Sequence, residues 1–341
     1  MPLRFDDIGN RLKAFRLGSG LAAEEIAQQL GISRTALYRF EKGEVAKIET
    51  LEKLAELLKV SVPTLLGVGV EYIASAVSYF ERMRQIEETA EHIIVLAGPI
   101  SYVLASDGFD GALGDILRES VPDGIAKRDR ALAQIDELME VLRQRKESYR
   151  RRRPAIVNLI AAAEMERFLR NGLVGRLDLD EKTRRARRAL ARAEAAHFTA
   201  LMENEPIGVQ IGIVRDTLPH TSFQIFRQPD RKILALSPFR LGEEPSIRTG
   251  VAMITSAPEA LALHETMARE LWGSALKGSA AVRFMRGMME KLSSTAKAGE
   301  GDHPYLALRA KDGGGGAGGE ETKASPRDIS GKLAPAPPHA A

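Results

Sequence analysis

From Phe5 to Leu66 the apolar positions recur at steps of three and four, in short blocks separated by glycine-containing turns, a pattern that predicts a run of short helices. Ile8, Leu12 and Phe15 form the inward stripe of a first helix, Ile26, Ala27 and Leu30 that of a second, and Leu37 and Phe40 that of a third. Leu51, Leu54, Ala55, Leu58 and Leu65 supply a fourth and a fifth. Gly67, Val68 and Gly69 then read as a junction. Beyond it, Ile73, Val77, Phe80, Met83 and Ile86 predict a helix from Glu71 towards Ala97. It runs into IIVLAG (Ile93 to Gly98), a β-branched stretch bounded by Gly-Pro that reads as a buried strand. Further helices are expected at Gly108–Arg118, at Lys127–Tyr149, from Pro154 through Leu169, and at Asp180–Met202. In the second of these, Leu132, Ile135, Met139 and Leu142 form a seam that Lys146 interrupts, too short for a coiled coil and better read as a dimer contact or an intrachain packing helix.

The texture then changes. VQIGIV (209–214), SFQIF (222–226), KILALS (232–237) and VAMIT (251–255) read as strands separated by Pro, Gly and Asp turns, and Ser256 is placed to cap a last long helix, Ala257–Leu276. From Ser293 onward Gly, Ala, Pro and charge replace the apolar pattern, including GGGGAGG (313–319), and such a segment cannot offset its own ordering entropy. The expected organisation is an all-α five-helix domain over 1–68, a larger α+β (or α/β) domain with about five strands over 69–292, and a disordered C-terminal tail over 293–341.

Composition adds constraints. A length of 341 residues suits about two domains, and 44% hydrophobic residues are enough for real cores. A net charge of +3 is too small to argue for nucleic acid by itself. The absence of cysteine excludes disulfides and thiolate metal sites and fits a reducing compartment. MPLRFDDIGNRLKAF has early acids and no apolar core, so no secretion signal is read there, and no stretch approaches about 18 apolar residues. A cytoplasmic protein without membrane contact is expected.

The segment LAAEEIAQQLGISRTALYRFEKG (Leu21 to Gly43) carries the chemistry. Gly31 stands where a tight turn between two helices needs positive φ, Ser33 is a natural N-cap for the next helix, and Gly43 stops it. This leaves Arg34, Thr35, Tyr38 and Arg39 pointing away from the core. Side chains near the start of such a helix can reach base edges in a major groove, and an arginine that pairs bidentately with guanine discriminates by roughly 1–3 kcal/mol. An αα-hairpin with solvated arginines is the bland alternative for the isolated motif.

The flanks argue for more. Together the five helices resemble the Cro/C1-type (XRE family) helix-turn-helix domain, through Arg16, the I-A-x-x-L-G-I-S core (Ile26–Ser33), F-E-K-G (Phe40–Gly43) and L-K-V-S-V-P-T-L-L (Leu58–Leu66). The resemblance implies that Arg16 pairs with Glu41, that Arg34, Thr35 and Arg39 read bases with Tyr38 at the edge, and that Ser33 and Lys42 lie nearer phosphates. It implies double-stranded DNA as partner. The chain departs from the family at Ala22 and Ala23, where a capping Ser, Thr or Asn followed by Gln is usual; losing the cap weakens that helix by about 1 kcal/mol. Basic and acidic side chains nearly balance between Arg4 and Lys59, so a homodimer on two half-sites about one helical turn apart is expected.

No catalytic set stands out in the larger domain. His264-Glu265-Thr266-Met267-Ala268 lacks the second histidine of a zinc helix, the glycine-rich tail lacks the Lys-Ser/Thr of a P-loop, and Gly18-Ser19-Gly20 is a turn. VAMITSAPEALALHETMARELWGSAL (251–276) resembles the last strand and helix of phospholipase D-like folds, which serve as sensor domains in some regulators. None of His92, His197, His220, His264 or His303 is followed two residues on by lysine, as the catalytic H-x-K-x-x-x-x-D requires, so the resemblance implies a non-catalytic relative. Trp272 reads as core. His220, Arg240 and Arg248 sit at strand ends where they can line a pocket for an anionic small-molecule effector, or simply be solvated. The run Arg143, Arg145, Lys146 and Arg150–Arg153 reads as a solvated helix end, with outer DNA contact as the alternative. The expectation is a homodimeric transcription regulator whose larger domain dimerises and senses a ligand or partner, with no catalytic residue, metal or cofactor. A phospholipase D-like phosphodiesterase or nuclease fused to a DNA-binding domain, and an antitoxin-like module gripping a protein partner, are the rivals.

Overall fold

The computed structural model describes residues 4–44, 47–176, 178–215, 222–242 and 244–298. Five helices come first: α1 (Phe5–Ser19), α2 (Ala23–Leu30), α3 (Arg34–Glu41), α4 (Ile48–Leu58) and α5 (Val62–Leu66). Leu12, Phe15, Ile26, Leu37, Leu54, Ala55, Leu58 and Leu65 close around one another as their core. Gly67, with φ +69°, ends α5 and turns the chain towards β1 (Val70–Ile73).

A mixed sheet of seven strands organises the rest: β1, β2 (His92–Leu96), β3 (Ala155–Ala161), β4 (Val209–Val214), β5 (Ser222–Arg227), β6 (Lys232–Ser237) and β7 (Ala252–Thr255), in the order β1-β7-β6-β5-β2-β3-β4. β2, β3 and β4 run parallel, and the remaining neighbours pair antiparallel. The parallel steps need long crossovers. They are supplied by a short 3-10 turn with α7 (Asp107–Glu119) and α8 (Arg128–Arg152), and then by α9 (Ala162–Asn171) and α10 (Glu181–Asn204). Along each strand alternate side chains serve two cores. Ile93, Val95, Ile156, Ile160, Ile211 and Phe226 meet α6 (Ala76–Glu87), α7 to α10 and α12 (Gly278–Ala298). Leu96, Leu159, Val214, Phe223, Ile225 and Leu234 meet α11 (Pro258–Ser274), where Trp272 packs. The first core is continuous with that of α1 to α5.

Seven strands replace the expected five. β1 lies where a helix was read from Glu71: the helix starts only at Ala76, because Ser75 caps it by accepting from the Ser78 N–H at 3.3 Å. β3 lies inside the helix read from Pro154 to Leu169. Proline suits the start of a strand as well as of a helix, and AIVNLIA is buried on both faces between β2 and β4, so it carries no alternation. α11 begins at Pro258 with Ala257 as N-cap, so Ser256 does not cap it. α12 was not anticipated and runs to Ala298; the remainder of the expected tail lies outside the described residues.

Candidate nucleic-acid interface

Between Ala22 and Gly43 each helix end has an identifiable cause. Ala22 offers no capping side chain, but the Glu25 carboxylate accepts from the Ala22 N–H at 2.7 Å, so half of a capping box survives. Gly31 ends α2 with φ +66°, and Ser33 Oγ accepts from the Ala36 N–H at 3.1 Å to start α3. Leu37 is fully buried and Phe40 half-buried against the domain core, while Ser33, Arg34, Thr35, Tyr38, Arg39 and Lys42 are exposed. α1 crosses α3 closely at Gly9, where a Cβ would stand 2.6 Å from the carbonyl oxygens of Phe40 and Glu41.

Arg16 of α1 grips the end of α3. Its Nε donates to Glu41 Oε1 at 2.5 Å and its Nη2 to Oε2 at 3.1 Å, with the guanidinium over the Tyr38 ring at 5.8 Å. Burial alone would lower the Arg16 pKa, but the hydrogen bond and charge of Glu41 outweigh it and hold it above its usual value. Arg39 makes only an exposed 3.4 Å contact with Glu44, the kind of pair that costs little to release. Arg34 makes no ion pair among the described residues. The exposed side of α3 thus presents two exposed guanidiniums, a threonine and a lysine on a helix whose end is clasped by Arg16.

A family model described as Helix-turn-helix matches residues 12–65. Residues 12–65 form a helix-turn-helix domain. No curated protein matches the chain. A solved structure described as that of TrmBL2, an archaeal chromatin protein with a novel mode of DNA binding, is 13% identical, covering 74% of this chain and 69% of its own, with a TM-score of 0.26. That overlap is too loose to establish a common fold.

The helix-turn-helix domain is joined to the sheet domain through the other side of α1. Arg11 Nε donates to Glu71 Oε1 at 2.6 Å, and Arg82 binds the same carboxylate through Nε and Nη2, each at 3.0 Å. All three side chains are buried. Burial would raise the Glu71 pKa, but the two guanidiniums overcome it and hold the carboxyl below its ordinary value. Asp7 is likewise lowered: burial opposes, and the Arg231 guanidinium, at 2.5 and 3.1 Å, prevails. Gln85 donates to the Asn10 carbonyl at 3.0 Å, and Lys13 approaches Glu81 at 3.4 Å. Gly18 admits the closest contact, since a Cβ there would lie 1.8 Å from Ser78 Oγ. None of these partners was legible in the sequence; the one local hint is a charged side chain, Arg11, next to the Ile8–Leu12–Phe15 stripe.

Two of the three candidate effector residues fall within the described residues. Arg240 and Arg248 are both exposed in the segment between β6 and β7, with the Arg240 backbone bridged to Ser246, and His220 lies outside the described residues. The basic run of α8 is not uniformly solvated. Arg145 is buried in a bidentate pair with Glu87 at 2.6 and 2.7 Å, and Lys146 is buried with Asp110 at 2.6 Å, because that side of α8 faces α6 and α7. Arg151, Arg152 and Arg153 are exposed. Among the described residues no group of three or more His, Asp or Glu can hold a metal ion, and no helix is long and apolar enough to cross a membrane.

Proposed function

We propose that the chain is a sequence-specific DNA-binding transcription regulator that works in the cytoplasm as a homodimer on a two-half-site operator. The observation that carries this reading is the outward face of α3, where Ser33, Arg34, Thr35, Tyr38, Arg39 and Lys42 stand exposed while Arg16 and Glu41 hold the helix from behind. Inserted in a major groove, Arg34 and Arg39 supply guanine-reading forks, and Thr35 offers a methyl or hydroxyl to a neighbouring base. Ser33 at the helix start and Lys42 at its end contact phosphates, which position the helix without reading sequence.

In this reading the sheet domain pairs the two copies and responds to a small molecule or partner without catalysing a reaction, the effector favouring one spacing of the two α3 helices. The test is an operator-binding titration at fixed salt, specific against non-specific DNA. Arg34→Ala with Arg39→Ala should remove about 2–6 kcal/mol of discrimination, on the basis of roughly 1–3 kcal/mol per bidentate contact. Unchanged specificity in that double variant would refute the assignment of α3.

A further inference from the structure

The sequence places two acids, Glu24 and Glu25, in the first turn of α2, and Ala22 ahead of them brings no capping side chain. A helix start attracts phosphate through its free N–H groups and its dipole, and two carboxylates there oppose that attraction. A cation from outside the helix-turn-helix domain stands beside this start. Arg130, in the first turn of α8, reaches the turn between α1 and α2, where its Nη2 donates to the Ser19 carbonyl at 2.5 Å. Gly20 makes room for it: its φ is +65°, and a Cβ there would stand 3.0 Å from Arg130 Nε and Nη2. Arg130 and Gln134 of α8 line one cleft with Leu21 and Ala22. Glu137, the acid on that side of α8, lies two turns further on, beside Arg16. Arg130 is exposed and makes no ion pair among the described residues, whereas Arg143, Arg145 and Arg150 of the same helix each meet a carboxylate.

We propose that Arg130 binds a DNA phosphate beside the head of α2, so that the DNA contact of the helix-turn-helix domain extends onto α8. The proposal rests on the DNA-binding reading above and adds a backbone anchor that the start of α2 lacks. In a helix-turn-helix complex the second helix of the motif lies in the major groove and the first crosses the backbone. With α3 in the groove, α2 is that first helix, and its start is open to solvent at Gly20 and Ala22. The bond to Ser19 orients the guanidinium and uses one donor, which leaves the other N–H groups for phosphate oxygens. Such a contact reads no bases. It strengthens binding to every duplex alike and steepens the dependence on salt.

The test is a salt series on the full chain with two duplexes, one of random sequence and one selected by the parent protein from a random pool. Arg130→Ala should weaken binding to both by the same factor. It should also reduce the slope of log K against log salt by about 0.9 for each copy bound, and Arg130→Lys, which keeps the charge, should restore most of that slope. Arg269→Ala, exposed on α11 across the sheet from α8, should leave the slope of the parent. A structural role through Ser19 alone would lower Tm and leave the slope unmoved, which overturns the proposal. Affinity lost for the selected duplex only would make Arg130 a base reader, and overturns it too. A parent that binds neither duplex overturns the DNA-binding reading along with this one; a parent that binds, with an unmoved slope in Arg130→Ala, overturns this one alone.

Discussion

Arg11 and Arg16 lie on the same helix and each meets a glutamate, yet their situations differ. Arg16 pairs with one carboxylate inside the helix-turn-helix domain, and 13% of its side chain still meets solvent. Arg11 shares Glu71 with a second arginine where α1 meets β1 and α6, and all three side chains are below 10% exposed. The first is a local clasp with matched charge. The second concentrates two cations on one anion in a low-dielectric seam, so the carboxylate is the piece that cannot be spared. Removing one partner of a buried set costs more than the set contributes, because the remaining charges stay dehydrated.

The comparison is broken most strongly at Glu71. Glu71→Ala should destabilise the chain by roughly 3–5 kcal/mol in denaturant unfolding, since Arg11 and Arg82 are left buried without the carboxylate that binds them both. Acid should reach the same seam without mutation. Glu71, Glu81 and Asp7 all have pKa values held below normal in the folded chain, so the stability they contribute is complete above about pH 4.5 and falls away as pH drops through their folded values. A steep loss of stability below about pH 4, flattened in Glu71→Gln, is the expected profile; a parallel profile in the variant would count against Glu71.

Smaller effects sharpen the contrast. Arg16→Ala should cost about 1.5–3 kcal/mol, the range for hydrogen bonds to charged groups, and should weaken operator binding further by loosening α3. Ser33→Ala should cost about 1 kcal/mol through the lost cap on the Ala36 N–H, with operator affinity falling modestly and specificity kept. Calorimetry with parallel binding titrations separates these outcomes.

What the sequence disclosed follows the range of the interactions. The helix-turn-helix segment is written locally: Gly31, Ser33 and Leu37 act on neighbours within a few residues, and Arg16 faces Glu41 across one short domain. Strands β2, β4, β5, β6 and β7 advertised themselves by β-branched runs between turn residues. β3 did not, because a strand buried on both faces has no alternation to display and its Pro154 serves either element. β1 did not, because its inward position holds Glu71, a residue that reads as polar surface until Arg11 and Arg82 are seen around it. The seam itself joins positions as distant as Asp7 and Arg231, and no spacing along the chain encodes such a pair. The same holds for Arg145 and Lys146, whose basic run resembles a solvated helix end until Glu87 and Asp110 are placed beside it.

Gly18 gives α1 a mechanical role. With no side chain there, α1 lies in direct contact with Ser75 and Ser78 at the head of α6, while Gly9 brings the other half of α1 onto the end of α3. Fifteen residues of helix make a rod of about 22 Å, so a tilt of 10° at one end moves the other by about 4 Å. α6 holds α1 at Asn10, Lys13 and Gly18, and α3 meets the same helix at Gly9 and Arg16. The two helices thus share one support, fifteen unbroken residues long.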